Sequence, residues 1–106
     1  MSEYNGWSNY ETWRINLEMI DGMTPEDFGF RPNDFQEDDE NGSGIKTIAS
    51  GIQAERLAAA LEDHVVELIE MDTNGKGFAH DLAMSFIAKV DWDEIAEHLI
   101  LDYAEV

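Results

Sequence analysis

The stretch IKTIASGIQAERLAAALEDHVVELIEM, Ile45 to Met71, carries the strongest helical signal in the chain. Ile48, Ile52, Leu57, Ala58, Leu61, Val65, Leu68 and Ile69 recur at the three- and four-residue intervals that gather side chains on one face of a helix. The alanines at positions 58 to 60 add intrinsic helix preference. The spacing predicts one long amphipathic helix over 45–71 and sets the fold class as mainly α.

Downstream, Asp72-Thr73-Asn74-Gly75-Lys76-Gly77 has the composition of a turn. Leu82, Phe86, Ile87 and Val90 then predict a third helix over 78–89. Asp91-Trp92-Asp93-Glu94 has the form of a capping box and opens a fourth, whose apolar stripe is Trp92, Ile95, Ala96, Leu99, Ile100 and Tyr103. Upstream, Ser8-Asn9-Tyr10-Glu11 is another capping box, with Ser8 as the cap. Tyr10, Trp13, Leu17 and Ile20 predict the buried face of a first helix over 9–21, ended by Gly22.

Between the first helix and the long one, Gly22 to Gly44 holds both prolines, four glycines and seven acids without sustained periodicity. It reads as a long acidic loop insertion over 22–44. A short turn after Thr24-Pro25 is expected, with Phe28, Phe30 and Phe35 packing on the body and a mobile tip over 36–43. No internal repeat stands out. The expected architecture is a single compact domain over residues 1–106, with about four helices and this insertion.

Charge sets the functional classes. Twenty-four Asp and Glu face six Lys and Arg, for a formal net charge of −18. A protein that binds nucleic acid needs a basic stripe to displace counterions, so direct binding of DNA or RNA is not expected. The same field attracts polycationic surfaces. Duplex DNA carries one charge per about 1.7 Å of axis, so the net charge equals that of roughly 30 Å of duplex. The competing reading is that the acidity serves only solubility or adaptation to salt. Against it, a surplus this large costs the folded state self-repulsion. The absence of cysteine excludes disulfides, thiolate metal sites and thiol nucleophiles and suits a cytoplasmic location, here the host cell. No membrane span or secretion signal is expected.

Candidate chemistry is sparse. Asp72, Asn74 and Gly77 match three positions of a calcium loop, but Lys76 stands where a ligand oxygen belongs and Ala83 where the bidentate glutamate belongs. An ordinary inter-helix turn is the expectation. His64, His80 and His98 have no metal-ligand spacing, and no nucleophile elbow, phosphate loop or dinucleotide fingerprint is present. No cofactor or metal is expected, and the chain does not read as an enzyme.

The acids themselves are the candidate site. Asp63, Glu67 and Glu70 lie four and three residues apart and form a ladder on the long helix at intervals of roughly 5 to 6 Å. Asp93, Glu94 and Glu97 occupy the polar side of the last helix, and Glu37, Asp38, Asp39 and Glu40 load the insertion. These residues are expected to face Lys and Arg of a basic nucleic-acid-binding protein or complex. Trp7, Tyr10 and Trp13 read as core, with Trp7 the one candidate anchor for a partner.

The segment Tyr4-Asn5-Gly6-Trp7-Ser8-Asn9-Tyr10-Glu11-Thr12-Trp13 resembles the opening of a family of small proteins of phages and mobile elements. Val90-Asp91-Trp92-Asp93-Glu94-Ile95-Ala96 is similar to that family's C-terminal block. The two stretches cover about a sixth of the chain. The resemblance implies a context and no catalytic residues. In size and charge the chain also resembles DNA-mimicking anti-restriction and anti-CRISPR proteins. The leading expectation is therefore an inhibitor of a bacterial defence system that occupies a nucleic-acid-binding groove. The alternative is an acidic adaptor or regulator that binds a basic protein without displacing nucleic acid.

Overall fold

Asn9, not Ser8, opens the first helix. In the computed structural model, which describes residues 6–38, 45–47 and 51–104, Asn9 has an extended backbone and its Oδ1 accepts the Thr12 amide at 2.8 Å. Helix α1 runs Tyr10–Ile15 and continues without a break as a π-helix, Asn16–Ile20, closed by the Asp21 amide on the Asn16 carbonyl at 2.7 Å. The wider turn explains a shifted core face. Ile15 and Ile20, five residues apart, are both buried, as the i→i+5 repeat of a π-helix allows. The expected stripe is corrected: Tyr10 and Leu17 are 39% and 49% exposed, and Thr12 is buried.

The insertion is more ordered in sequence than a plain loop. Thr24-Pro25-Glu26-Asp27-Phe28 and Arg31-Pro32-Asn33-Asp34-Phe35 share a Pro-x-Asp-Phe pattern, a short repeat the sequence reading missed. Each copy forms one turn of 3-10 helix, Pro25–Phe28 and Pro32–Phe35. Proline presets φ at the first position, and the aspartate accepts the amide of the residue before proline. Asp27 takes the Thr24 amide at 2.9 Å and Asp34 takes that of Arg31 at 2.8 Å. The phenylalanines then turn inward, as expected: Phe35 is fully buried, and Phe28 and Phe30 pack against the core.

Strand β1, Gln36–Asp38, follows and pairs antiparallel with β2, Ile45–Thr47, placing Gln36 opposite Thr47 and Asp38 opposite Ile45. Two expectations change here. Gln36–Asp38 belongs to a strand, not to a mobile tip, and Ile45–Thr47 is strand, not helix. Helix α2 starts only at Ile52, because Gly51 at φ 91° adopts a backbone that L-residues rarely take. The remaining insertion residues, 39–44, lie outside the described residues.

Helix α2, Ile52–Thr73, buries Ala54, Leu57, Ala58, Leu61 and Val65, while Ile52, expected in the stripe, is 67% exposed. Asn74 ends it in the left-handed conformation at φ 59° and donates its amide to the Glu70 carbonyl. This is the inter-helix turn expected of that segment. Helix α3 spans Phe78–Ile87, two residues shorter than predicted. Helix α4 spans Trp92–Ala104, and Asp91 caps it by accepting the Glu94 amide at 3.1 Å.

The described residues thus give a mainly α fold of four helices with a two-stranded ribbon in the insertion. Its centre is the face-to-face packing of α2 on α4. Leu57, Leu61, Val65, Ile95 and Ile100 are fully buried, and Ile20 and Phe35 belong to the same core. Full burial of each such side chain contributes about 1.5 to 3 kcal/mol.

Candidate functional site

Helical geometry places Asp63, Glu67 and Glu70 within about 60° of one another and on the side of α2 opposite Leu61 and Val65. All three are exposed. Neither Asp63 nor Glu67 has a side-chain hydrogen-bonding or ionic partner among the described residues, so these two members of the ladder face solvent with their charge uncompensated there. Glu70 is 3.9 Å from Nε2 of His80, beyond hydrogen-bond distance. Among the described residues, the ion pair between a full cation and a carboxylate is Arg14–Glu18, at 3.2 Å.

Helix α4 holds its acids differently. Asp93 and Glu97 lie one turn apart and are exposed, whereas Asp102 sits about 140° around the helix from Glu97. Asp93 lies beside Ala58, Ala59 and Glu62 of α2 in a shallow concavity at the start of α4.

Glu94 takes a structural part. Its Oε1 accepts both the amide and the hydroxyl of Ser8, at 3.1 and 2.8 Å. Nearby, Asn9 donates its Nδ2 to the Lys89 carbonyl at 2.8 Å, and the buried Thr12 hydroxyl accepts the Asp91 amide at 2.8 Å. These polar contacts hold α1 against the start of α4. The carboxylates of Asp27, Asp34 and Asp91 likewise serve backbone amides. Of the insertion candidates, Asp39 and Glu40 lie outside the described residues, and Glu37 and Asp38 are placed only by their backbone in β1.

A concave site lies elsewhere, where the π-helix meets α4. It is a cleft of about 330 Å³ whose walls include Trp7, His98 and Tyr103 together with the polar residues Asn16, Asp21 and Asp102. Met23, Pro25 and Leu99 complete an apolar lining. The Trp7 indole and the His98 imidazole stack with centroids 4.2 Å apart. The Tyr103 hydroxyl donates to Glu26 Oε2 at 3.2 Å. Partial burial first, and then the Glu26 hydrogen bond and the charges of Glu26 and Asp34, raise the Tyr103 hydroxyl above its ordinary value of 10.0. Sequence reading singled out Trp7 but missed the cleft. Asp21, Asp102 and Tyr103 converge only through the π-turn and the docking of the Thr24–Phe28 turn beside α4.

Among the described residues, no group of three His, Asp or Glu is placed to hold a metal ion, and no helix is long and apolar enough to cross a membrane. Phe78 and Leu82, one turn apart on α3, are 79% and 54% exposed. Comparison with protein-family models, with curated proteins and with solved structures gave no match.

Proposed function

We propose that this protein is an acidic mimic of nucleic acid that occupies the nucleic-acid-binding groove of a basic protein and inhibits it, in the setting of a bacterial defence system of the restriction or CRISPR kind. The observation that carries the reading is the exposed Asp63–Glu67–Glu70 ladder on α2, in which neither Asp63 nor Glu67 has a partner among the described residues. A rigid helix holds these carboxylates in fixed register, so little ordering cost remains when they meet a row of Lys and Arg. The overall charge of −18 steers the encounter and repels nucleic acid from the occupied groove. The likeness of the 4–13 and 90–96 segments to phage and mobile-element proteins supplies the setting.

Glu94 drops out of the proposed contact set because Ser8 engages its carboxylate. Asp93 and Glu97, exposed on α4, would extend the contact beyond α2.

The test is competition. Captured from a host lysate by the immobilised protein, the partner should be released by added duplex DNA. The Asp63→Lys/Glu67→Lys/Glu70→Lys variant should fail to capture it at low and moderate salt. A ternary complex that tolerates DNA would instead establish the adaptor reading, which the exposed Phe78 and Leu82 favour as an apolar contact. Capture undiminished by the triple reversal would refute the ladder.

A further inference from the structure

The cleft between the π-helix and α4 has a composition of its own. Its described lining contains the rings of Trp7 and Tyr103, His98 stacked on Trp7, apolar side chains and the acids Asp21 and Asp102, and no Lys or Arg. Two carboxylates, Asp21 and Asp102, stand in its wall beside Trp7 and Tyr103, and both are exposed. Aromatic rings carry negative faces that attract cations, and a carboxylate accepts the parallel N–H groups of a planar guanidinium. A neutral apolar ligand would bury these carboxylates without compensation, and an anion would meet them directly.

A second feature marks the same place. The π-turn over Asn16–Ile20 gives up the regular i→i+4 ladder, an arrangement found frequently at functional sites. Its closing hydrogen bond runs from Asp21 to Asn16, and both of those residues line the cleft. The irregular turn therefore builds the acidic wall.

We propose that this cleft is a receptor for an arginine side chain presented by the partner, with the guanidinium against Asp21 and Asp102 and the aliphatic stem along Trp7, Tyr103 and Leu99. Arginine suits the site better than lysine because its flat, weakly hydrated head can stack and bond bidentately at once. The inference rests on the reading that the partner surface is basic. It places the anchoring contact in a concave site distinct from the ladder on α2.

N-acetyl-argininamide is the probe, followed by the indole N–H resonances of Trp7, Trp13 and Trp92 in the full chain, with N-acetyl-lysinamide and N-acetyl-norleucinamide in parallel. The Trp7 signal should move saturably with the arginine derivative, less with lysine and not with norleucine, while Trp13 and Trp92 stay in place. Asp21→Asn/Asp102→Asn should weaken the response by about three- to tenfold, the effect of two partly exposed charge contacts. Should the double variant lose its helical circular dichroism, Asp102→Asn alone carries the test. Equal movement with norleucine, or an undiminished response in the Asn variant, would overturn the cleft as a cation receptor. A hexa-arginine peptide separates this failure from the broader one. If it perturbs Asp63, Glu67 and Glu70 but not Trp7, the cleft is refuted and the basic-partner reading stands. If it perturbs neither at low salt, both fall.

Discussion

The Thr12 hydroxyl accepts the Asp91 amide at 2.8 Å, joining residues 79 apart in sequence at a site where Thr12 is fully buried. Beside it, Ser8 binds Glu94 and Asn9 binds the Lys89 carbonyl. The segments around Ser8–Thr12 and Lys89–Glu94 therefore meet in space. Their polar residues form the joint by which α1 docks on the start of α4.

Thr12→Val keeps the shape of the side chain and removes the acceptor, leaving the part-buried Asp91 amide unsatisfied. The expected cost is about 1 to 3 kcal/mol of unfolding free energy. Urea denaturation followed by circular dichroism measures it, and Thr12→Ser should recover most of the loss.

Glu94→Gln and the ladder substitutions should separate stability from binding. Glu94→Gln weakens an exposed pair of hydrogen bonds to Ser8, so stability should fall by about 0.5 to 1.5 kcal/mol with partner capture intact. Asp63→Lys/Glu67→Lys/Glu70→Lys should do the reverse: capture is lost while the melting temperature holds or rises, because six charge units of self-repulsion are relieved. Calorimetry and pull-down on the same preparations decide it, and a ladder variant that unfolds would count against the outward placement of those carboxylates.

Tyr103 predicts an alkaline effect. Its hydroxyl titrates higher in the folded chain than the ordinary 10.0, so above that value the folded state holds a proton that the unfolded state has released. The associated stabilisation is complete below pH 10 and is lost as pH rises through the folded-state value. Tyr103→Phe lacks both the ionisation and the Glu26 hydrogen bond. Its stability deficit relative to the natural chain should shrink between about pH 8 and about pH 11, read by denaturant titration. A deficit constant across that range would show that the phenol is not perturbed.

Leu61→Ala tests the centre of the fold. Leu61 is fully buried between α2 and the helices it packs on, and its truncation should cost about 2 to 5 kcal/mol. Ala59→Ser, at an exposed position two residues away, should change stability by less than about 0.5 kcal/mol. Parallel thermal melts compare the two.

Sequence reading was strongest where packing and helical period agree. Leu57, Leu61 and Val65 on α2 and Ile95, Leu99 and Ile100 on α4 were legible because an apolar stripe every three to four residues has one way to be buried. It erred in the first helix, where Thr12 and Ile15 are buried and Tyr10 and Leu17 are exposed, and where the π-turn over Asn16–Ile20 then brings Ile20 into the core with Ile15. Ile45–Thr47 failed for another reason. Three residues are too few to distinguish a strand from the start of a helix, and the pairing with Gln36–Asp38 decided it.

By itself the sequence determined a mainly helical, cysteine-free chain with a large surplus of carboxylates, since composition fixes charge and periodicity fixes which helix faces seek burial. Only the tertiary structure decided that Ser8 holds Glu94. Asp27, Asp34 and Asp91 each take an amide three residues away, at a local turn or helix cap, and Glu94 is bound by Ser8, unlike Asp63 and Glu67. The last two are left facing solvent. The three local contacts follow from the turn or helix start itself, whereas Ser8 comes within about 3 Å of a carboxylate 86 residues away only because α1 docks on α4.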